Sequence, residues 1–335
     1  MNTPLVSILI PFKNVEKFFD DCITSIISQT YTNWEVIAIN DHSTDKSAKI
    51  LEKYTAKDNR IKTTLNTGKG IINALQLAYK LSNGSYITRM DSDDIMKPEK
   101  IEVMLSSLLK SGKKHIAVGK VKYFAENGVN EGYKKYEEWL NKLTSIGTNY
   151  TEIYKECVIP SPCWMVHKSD FENVDAFNPN TYPEDYDLAF RFYKHNIQCI
   201  PCKRVLHMWR DYTTRTSRTS EHYAQNYFLD IKLDYFLELE YSKNKTLLVW
   251  GAGKKGKEIA KKLIKKNINF KWVCNNQQKI GKDIYNIKLQ HFTVLTDVKN
   301  PQIIITVANQ EEQKSIKTYL NSLKINTIKD YFFFC

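Results

Sequence analysis

No stretch of the chain approaches the roughly 18 apolar residues of a membrane-spanning helix, so no transmembrane helix is expected. Nothing resembling a secretory leader precedes Leu5, which already belongs to a strand pattern, so no signal peptide is expected either. Cysteine is sparse and odd in number, seven in 335 residues. That count, scattered along the chain, argues for reduced thiols and against a disulfide framework. Cys199-Ile200-Pro201-Cys202 has redox or zinc spacing, but no second pair stands nearby, and Cys157 and Cys163 do not supply one. All seven thiols are therefore read as structural. Internal repeats and long low-complexity linkers are also missing. Arginine is absent after Asn244, where 17 Lys and six acids leave a net charge of +11, against +1 for residues 1–243. With no arginine and no recognisable nucleic-acid motif in that basic tail, nucleic acid is not expected as a partner. These absences fit a cytoplasmic enzyme, and a length of 335 residues fits two domains.

Strand and helix patterns alternate through the first 110 residues. Leu5 to Pro11 is a short apolar run, and Val15 to Gln29 carries Phe18, Phe19, Cys22, Ile23, Ile26 and Ile27 on one helical face. Trp34 to Asn40 reads as the next strand, and Asp41 to Asp45 as a polar turn that supplies helix N-caps. Ile61 to Leu65 is a third strand, Gly70 to Leu81 a helix and Ser85 to Met90 a fourth strand. Strands spaced by helices predict a mostly parallel sheet covered on both faces.

Asp91, Ser92, Asp93 and Asp94 follow the fourth strand, just before Pro98 opens a helix. Carboxylates delivered by a strand end lie where open α/β sheets bind ligands. Hard oxygen ligands there suit Mg2+ or Mn2+, with diphosphate oxygens completing the shell. By itself the tetrapeptide is equally a solvated acidic turn. In a parallel sheet, however, Asn14, Asp41 and the 91–94 cluster converge on one crevice.

Taken together, Val6-Ser7-Ile8-Leu9-Ile10-Pro11-Phe12-Lys13-Asn14, Ser28-Gln29-Thr30-Tyr31, Trp34 to Asp45, and Arg89-Met90-Asp91-Ser92-Asp93-Asp94 with Pro98 resemble the family 2 glycosyltransferases of the GT-A fold. The pieces stand in the family's order and spacing, strongly to about residue 110 and more loosely to about 240. The resemblance implies a nucleotide-diphospho-sugar transferase fold. It also implies that Pro11 and Asp41 line the base and ribose pocket of the donor, that Asp91 sits near the ribose or diphosphate, and that Asp93 holds the metal. Lys13 stands where the family often has an aromatic residue, and Asn40-Asp41 where it often has two acids. Uridine diphosphate is the family's common nucleotide.

Glycosyl transfer needs a base that takes the acceptor hydroxyl's proton. Tyr182-Pro183-Glu184-Asp185-Tyr186-Asp187-Leu188 offers one in the first turn of a helix running to His195. Acids there are also ordinary helix capping; with the resemblance, the pair is similar to the family's catalytic acidic motif. Asp185 is the expected base, and Glu184 the neighbour that could exchange roles with it. Direct displacement by the activated hydroxyl would invert the anomeric centre. Downstream, Arg210, Arg215 and Arg218 stand among hydroxyls between Leu206 and Ser220. Arg215 and Arg218 are candidates to pair with the diphosphate, and His207 to complete the metal shell, as a histidine in this region does in some GT-A enzymes. The same segment reads equally as a solvated loop. Trp139, Tyr150, Tyr154 and Trp164 could stack on sugar rings, although core packing is the commoner fate of such side chains.

After Tyr241 the pattern starts again. Thr246 to Trp250 is a strand, Gly251-Ala252-Gly253-Lys254-Lys255-Gly256 a glycine loop, and the following helix carries Ile259, Ala260, Leu263 and Ile264. Strand, G-x-G-x-x-G and helix form the context of a dinucleotide fingerprint. The acid expected after the next strand, Phe270 to Cys274, is missing, for Asn275 and Asn276 stand there. With a further strand at Ile303 to Val307, this is read as a small Rossmann-like α/β domain, half of the usual double-wound unit. It is similar to an appendage of some family 2 enzymes, and Gly251, Gly253 and Gly256 form a dinucleotide or anion loop in which NAD is not favoured. Its lysines, crowded from Lys254 to Lys266, suit an anionic membrane surface or a phosphate-bearing acceptor as well as a solvated face.

The expected architecture is a GT-A domain over 1–242 and a Rossmann-like domain over 243–335. The expected function is inverting, Mn2+- or Mg2+-dependent transfer from a nucleotide-sugar donor to a glycan or lipid-linked acceptor, in the cytoplasm or at the inner face of the cell membrane. An NAD-linked oxidoreductase, or a nucleotide-binding regulatory protein using the C-terminal glycine loop, is the alternative.

Overall fold

Parallel strands are covered on both faces and need apolar residues throughout; Val6–Phe12 and Trp34–Asn40, buried along almost their whole length, meet that need. The computed structural model describes residues 3–219 and 228–335; Ser220, the end of the arginine and hydroxyl segment, lies outside them. The chain forms two compact units, Met1–Asn149 with Val158–Thr219, and Tyr150–Cys157 with Ser220–Cys335.

The first unit contains β1 (Val6–Phe12), β2 (Trp34–Asn40), β3 (Ile61–Leu65), β4 (Tyr86–Arg89), β5 (Ile95–Met96), β6 (His115–Phe124), β7 (Trp164–His167) and β8 (Gln198–Arg210). They form one sheet in the order β3-β2-β1-β4-β7-β6-β8-β5. The first four strands of that order run parallel, β7 is antiparallel to β4 and β6, and β5 is antiparallel to β8. The parallel block fixes the polarity of the site, because the ends of β1, β2 and β4 all leave the same edge. Ser7 is buried in β1, and its hydroxyl donates to Glu35 at 2.8 Å while accepting from the Gly84 amide at 2.8 Å. That bridge ties three segments at the opposite, amino edge.

The expected strands are all present. The helix expected from Val15 to Gln29 is shorter, Phe19–Ile27. Asn14 has a left-handed φ of 51°, and the amides after it are satisfied by the polar turn instead of by a helix. Val15 N donates to the Ser47 hydroxyl and Glu16 N to Asp45 Oδ2.

The second unit contains β9 (Thr246–Trp250), β10 (Lys271–Cys274), β11 (Asp283–Ile284), β12 (Ile287–His291), β13 (Pro301–Ile305) and β14 (Tyr331–Phe333). Its sheet has the order β11-β12-β10-β9-β13-β14, all parallel except β11. Parallel strands therefore extend on both sides of β9, more than the half unit expected. Three strands were missed in the sequence: β11 and β14 are only two and three residues long, and β12, Ile-Lys-Leu-Gln-His, has no continuous apolar run. The expected domain boundary at 242/243 falls inside this unit. Helix Phe228–Leu239 and the segment around Tyr154 belong to it, with the Tyr154 ring stacked on Phe334 at 5.5 Å and edge-on to Phe236 and Phe332. Packing, not sugar recognition, accounts for Tyr154. Trp164 in the first unit is likewise buried, against Phe171 and Phe192.

Gly251 needs its φ of +120°, and a Cβ on Gly256 would lie 2.0 Å from the Gly251 carbonyl oxygen, whereas one on Gly253 would meet nothing within 4 Å. Gly256→Ala is therefore expected to destabilise the second unit by about 1–3 kcal/mol or more, as overpacking does. Gly253→Ala should stay near the parent. Thermal unfolding followed by calorimetry separates the two, and equal melting temperatures for both variants would contradict the packing role.

Candidate active site

Three carboxylates in four residues cannot share a strand end without partners. Asp94, fully buried, is the anchor: its Oδ2 lies 2.8 Å from His207 Nε2, and its Oδ1 accepts from the Arg210 amide at 2.7 Å. Arg210 also donates from Nε to the Asp93 carbonyl at 2.7 Å. The acid loop is thus stitched to β8, and β5 extends the join by pairing Ile95 with Met208 and Met96 with His207. Burial and the Asp91 charge raise the Asp94 carboxyl well above the ordinary range.

His207 is fully buried, and both ring nitrogens face partners, since Nδ1 lies 3.4 Å from the Lys100 ammonium. Lys100 is itself buried and donates to the Pro162 carbonyl at 2.5 Å. Burial and the Lys100 charge push His207 below its usual value. A neutral ring fits these contacts with Nε2–H donated to Asp94 and Nδ1 accepting from Lys100. As placed, His207 orients Asp94, and it reaches an ion only by giving up one of these contacts.

Asp93 is held differently. Tyr212 donates its hydroxyl to Oδ2 at 2.8 Å, and no hydrogen bond reaches Oδ1 among the described residues. Burial and the charges of Asp94 and Asp91 push its carboxyl up to about 7, opposed by Arg215 and the Tyr212 hydroxyl. Arg215 lies over the rings of Trp209 at 5.1 Å and Tyr123 at 5.8 Å, facing the acids. Arg218 is not brought to them; it forms a two-pronged ion pair with Asp211, at 2.8 and 2.6 Å. No three His, Cys, Asp or Glu side chains among the described residues gather as a ready-made ion cage. Asp93 nonetheless fits a hard cation, with one oxygen uncommitted, two acid neighbours and a raised proton affinity that a divalent ion would relieve.

Arg89, at the end of β4 and almost fully buried, was not anticipated. Its Nε and Nη2 contact Asp91 Oδ1 at 3.1 and 3.0 Å, and its Nη1 contacts Glu184 Oε1 at 2.9 Å. One guanidinium therefore joins the acid loop to the first turn of helix Glu184–Lys194. That helix is fastened to the preceding loop by Arg191, which pairs with Asp187 at 2.7 Å and donates to the Val174 and Ala176 carbonyls. Asp185 borders a small pocket with Arg89, Ser161, Trp164, Leu188 and Phe192. Burial and Glu184 raise its carboxyl, and Arg89 and the Tyr186 amide act against them.

On the other side of the crevice, Asp41 Oδ1 accepts from Asn66 Nδ2 at 2.7 Å and from the Gly70 amide at 2.9 Å, with the Lys13 ammonium 3.6 Å from Oδ2. Asn14 accepts from the Thr44 amide at 2.8 Å, which makes it a brace for the 43–47 turn. Pro11 occupies the end of β1 beside Ile39. The structure thus brings Pro11, Asp41, Asp91, Asp93, Glu184, Asp185 and Arg215 to the first unit's carboxyl edge. Arg89, Lys100 and Tyr212 were missed. Arg89 and Lys100 had a signal: an arginine closing an apolar strand, and a lysine four and eight residues before Met104 and Leu108 on the buried helical face. In the second unit, Gly251 O accepts from Trp272 Nε1 and Ala252 O from Lys279, while Gly253 is exposed.

The parallel β3-β2-β1-β4 block, with acids at its carboxyl edge, fits the GT-A fold. The family model described as glycosyl transferase family 2 matches residues 7–175, half of the chain, and the protein belongs to that family. An uncharacterized glycosyltransferase of Haemophilus influenzae is 44% identical over 111 residues, 33% of this chain and 34% of its own. A UDP-Glc:alpha-D-GlcNAc-diphosphoundecaprenol beta-1,3-glucosyltransferase of Escherichia coli is 30% identical over 224 residues, 63% of this chain and 78% of that protein. The chain spans about a third to a half of the first curated relatives, 34% and 45% of their lengths. Among solved structures, S. aureus TarS 1-349 in complex with UDP-GlcNAc aligns with a TM-score of 0.54 at 17% identity, over 72% of this chain and 69% of that one, a likeness of fold.

The raised Asp93 carboxyl has a consequence for stability. An acid whose folded value, about 7, exceeds its ordinary value of 3.8 holds its proton more tightly in the native state. Its contribution therefore favours folding as pH falls through 7 and opposes folding as pH rises. Without divalent ions, Asp93→Asn is expected to be more stable than the parent at pH 8, by about 1–2 kcal/mol after allowance for partial solvent screening. The gain should fade toward pH 4. Denaturant titrations at the two pH values check this, and a loss of stability at pH 8 would count against the electrostatic account.

Proposed function

We propose that the protein is an inverting, metal-dependent glycosyltransferase that moves a sugar from a UDP-sugar to a hydroxyl of a glycan or lipid-linked acceptor, with Asp185 as the base. The observation that carries this reading is the shared placement of the Asp91–Asp94 loop and the Glu184–Asp185 turn, joined by Arg89. Similar proteins support the donor and acceptor classes: TarS is solved in complex with UDP-GlcNAc, and the Escherichia coli relative is named for UDP-Glc and a diphosphoundecaprenol-linked GlcNAc.

In this reading Pro11 and Asp41 line the nucleoside pocket and Asp91 meets the ribose or diphosphate. Mn2+ or Mg2+, held by Asp93 and completed by diphosphate oxygens, would neutralise charge on the leaving group. Asp185 accepts the acceptor hydroxyl's proton as that oxygen bonds to the anomeric carbon. The bond from that carbon to the diphosphate oxygen breaks, and its electron pair leaves with UDP, so the anomeric centre inverts. Glu184, already paired with Arg89, holds the turn that carries the base. Arg215 faces the developing diphosphate charge, where a preorganised cation counts most. Arg218 joins it only by leaving Asp211, and His207 enters the metal shell only by leaving Asp94 or Lys100. No described helix is long and apolar enough to cross a membrane. Exposed Lys254, Lys257 and Lys265 on one helix support peripheral contact with an anionic surface at the cytoplasmic face; Lys261, Lys262 and Lys266 pair with Glu258, Asp230 and Asp234.

Calorimetric titration with UDP is expected to show Mn2+-dependent binding that Asp93→Ala abolishes. Asp185→Asn should keep that binding and lower sugar transfer by about 10²–10⁴-fold, the usual contribution of a general base. UDP binding indifferent to both Mn2+ and Asp93 would sink the metal assignment.

A further inference from the structure

We propose that Arg89 is a positioning residue for transfer, fixing Asp91 and Glu184 with one guanidinium and acting as the buried counter-charge of the base, Asp185. This rests on the reading of Asp185 given above and assigns to Arg89 a role that its packing alone does not require.

The geometry leaves Arg89 little else to do. Its side chain is 6% exposed, and its ion pairs divide between Asp91 on the loop after β4 and Glu184 on the helix that carries Asp185. The charged groups facing Asp185 are Glu184 on its own helix, Arg89 on β4 and Asp91 beyond it, with the Tyr186 amide bonded to Oδ1 at 2.8 Å. Of the three charged groups only Arg89 is positive. The rest of the lining is mainly apolar, including Ile159, Trp164, Leu188 and Phe192. In such surroundings a charge acts more strongly than in water. Removing Arg89 would leave three carboxylates, Asp91, Glu184 and Asp185, to share one buried region, and the cheapest response is uptake of a proton. A protonated Asp185 cannot take the acceptor's proton. Because the same guanidinium grips Asp91, the donor-side acid and the base-side turn are also held at a fixed separation, which is the precondition for in-line attack.

Four variants test this: Arg89→Met, Arg89→Lys, Glu184→Gln and the double variant Arg89→Met with Glu184→Gln. The titration of Asp185 is read by ¹³C NMR of aspartate-labelled protein, assigned with Asp185→Asn, and needs no substrate. Turnover is read separately as UDP released from UDP-glucose or UDP-GlcNAc across pH. Arg89→Met is expected to move the Asp185 midpoint and the acid limb of turnover upward by at least about one pH unit, a roughly tenfold loss below the limb that recovers above it. Arg89→Lys keeps the charge but not the fork, so the midpoint should stay while the turnover plateau falls. If Arg89→Met does not fold, the double variant replaces it, since removing both partners of a buried pair is better tolerated than removing one. Its midpoint is then compared with that of Glu184→Gln and should lie higher. An Asp185 midpoint unmoved by loss of Arg89 overturns the proposal. Full turnover in Asp185→Asn would instead sink the assignment of the base, whichever way the Arg89 variants titrate.

Discussion

Mutual repulsion among Asp91, Asp93 and Asp94 is the constraint around which the first unit is arranged. Each acid has a different answer to it. Asp91 has the Arg89 guanidinium, Asp94 has the His207 ring and the Arg210 amide, and Asp93 has the Tyr212 hydroxyl with Arg215 nearby. The compensation is graded by burial. Asp94, wholly enclosed, has both oxygens committed to the protein, as a buried carboxylate must. Asp93, partly open, has one oxygen committed and keeps a raised proton affinity. A site that has used its internal partners on the structural acid and left the outer one unsettled retains a standing attraction for a cation, which a uniformly satisfied cluster would lack.

The supporting elements follow from that need. β8 must reach both the sheet interior and the acid loop, and it is long enough, at 13 residues, to do so. Its parallel pairing with β6 is irregular around Gly119, Lys120 and Val121. A local irregularity of this kind re-aims the residues beyond it, and those residues are His207, Trp209 and Arg210. Gly119 packs closely in this layer, where a Cβ would lie 2.8 Å from Cys163 Sγ and displace that side chain. The buried Lys100 ammonium completes the chain from the acid loop through His207 to Pro162. It lies two residues beyond Pro98, so the helix start that ends the acid loop also supplies the cation that steadies it.

Much of this arrangement was legible in the residues, and the reasons divide by physical range. β1 and β2 were readable because strands buried on both faces are continuous apolar runs, β3 and β4 by their place in the alternation of strands and helices, and the acids after β4 stood at a strand end by position alone. Asp41, Asp91, Asp93 and the Glu184–Asp185 turn were placed through resemblance to a family, since an acid at a strand end has no local mark of its function. The pairings were not legible. Arg218 and Arg215 look alike in sequence, yet one is held by Asp211 and the other lies over Trp209 and Tyr123 facing the acids. His207 resembles an accessible ligand until Lys100, more than a hundred residues earlier, is placed against its second nitrogen. Contacts at such separations depend on the order of strands in the sheet, and β5 to β8 interleave in a way that periodicity cannot reveal. The short helix after β1 was misjudged for a similar reason, because the hydroxyl and carboxylate that satisfy its first amides come from the turn after β2.

The second unit shows how a motif can be real and still say little about a ligand. Gly251, Gly253 and Gly256 stand between a strand and a helix, as a dinucleotide fingerprint requires, and the parallel sheet around them is more complete than its 90-odd residues suggested. Packing already explains two of the three. Gly251 turns through a left-handed φ beneath Thr306, and Gly256 lets the helix close to within van der Waals reach of the Gly251 carbonyl. Trp272 and Lys279 then take the carbonyls of Gly251 and Ala252 as acceptors, so the loop is braced by its own domain. Only Gly253 has a freedom that packing does not use, and a single unexplained glycine is too small a residue of evidence for nucleotide recognition. The chemistry therefore belongs to the first unit, where buried charge, which is costly to keep, has been kept and paired across three separate elements.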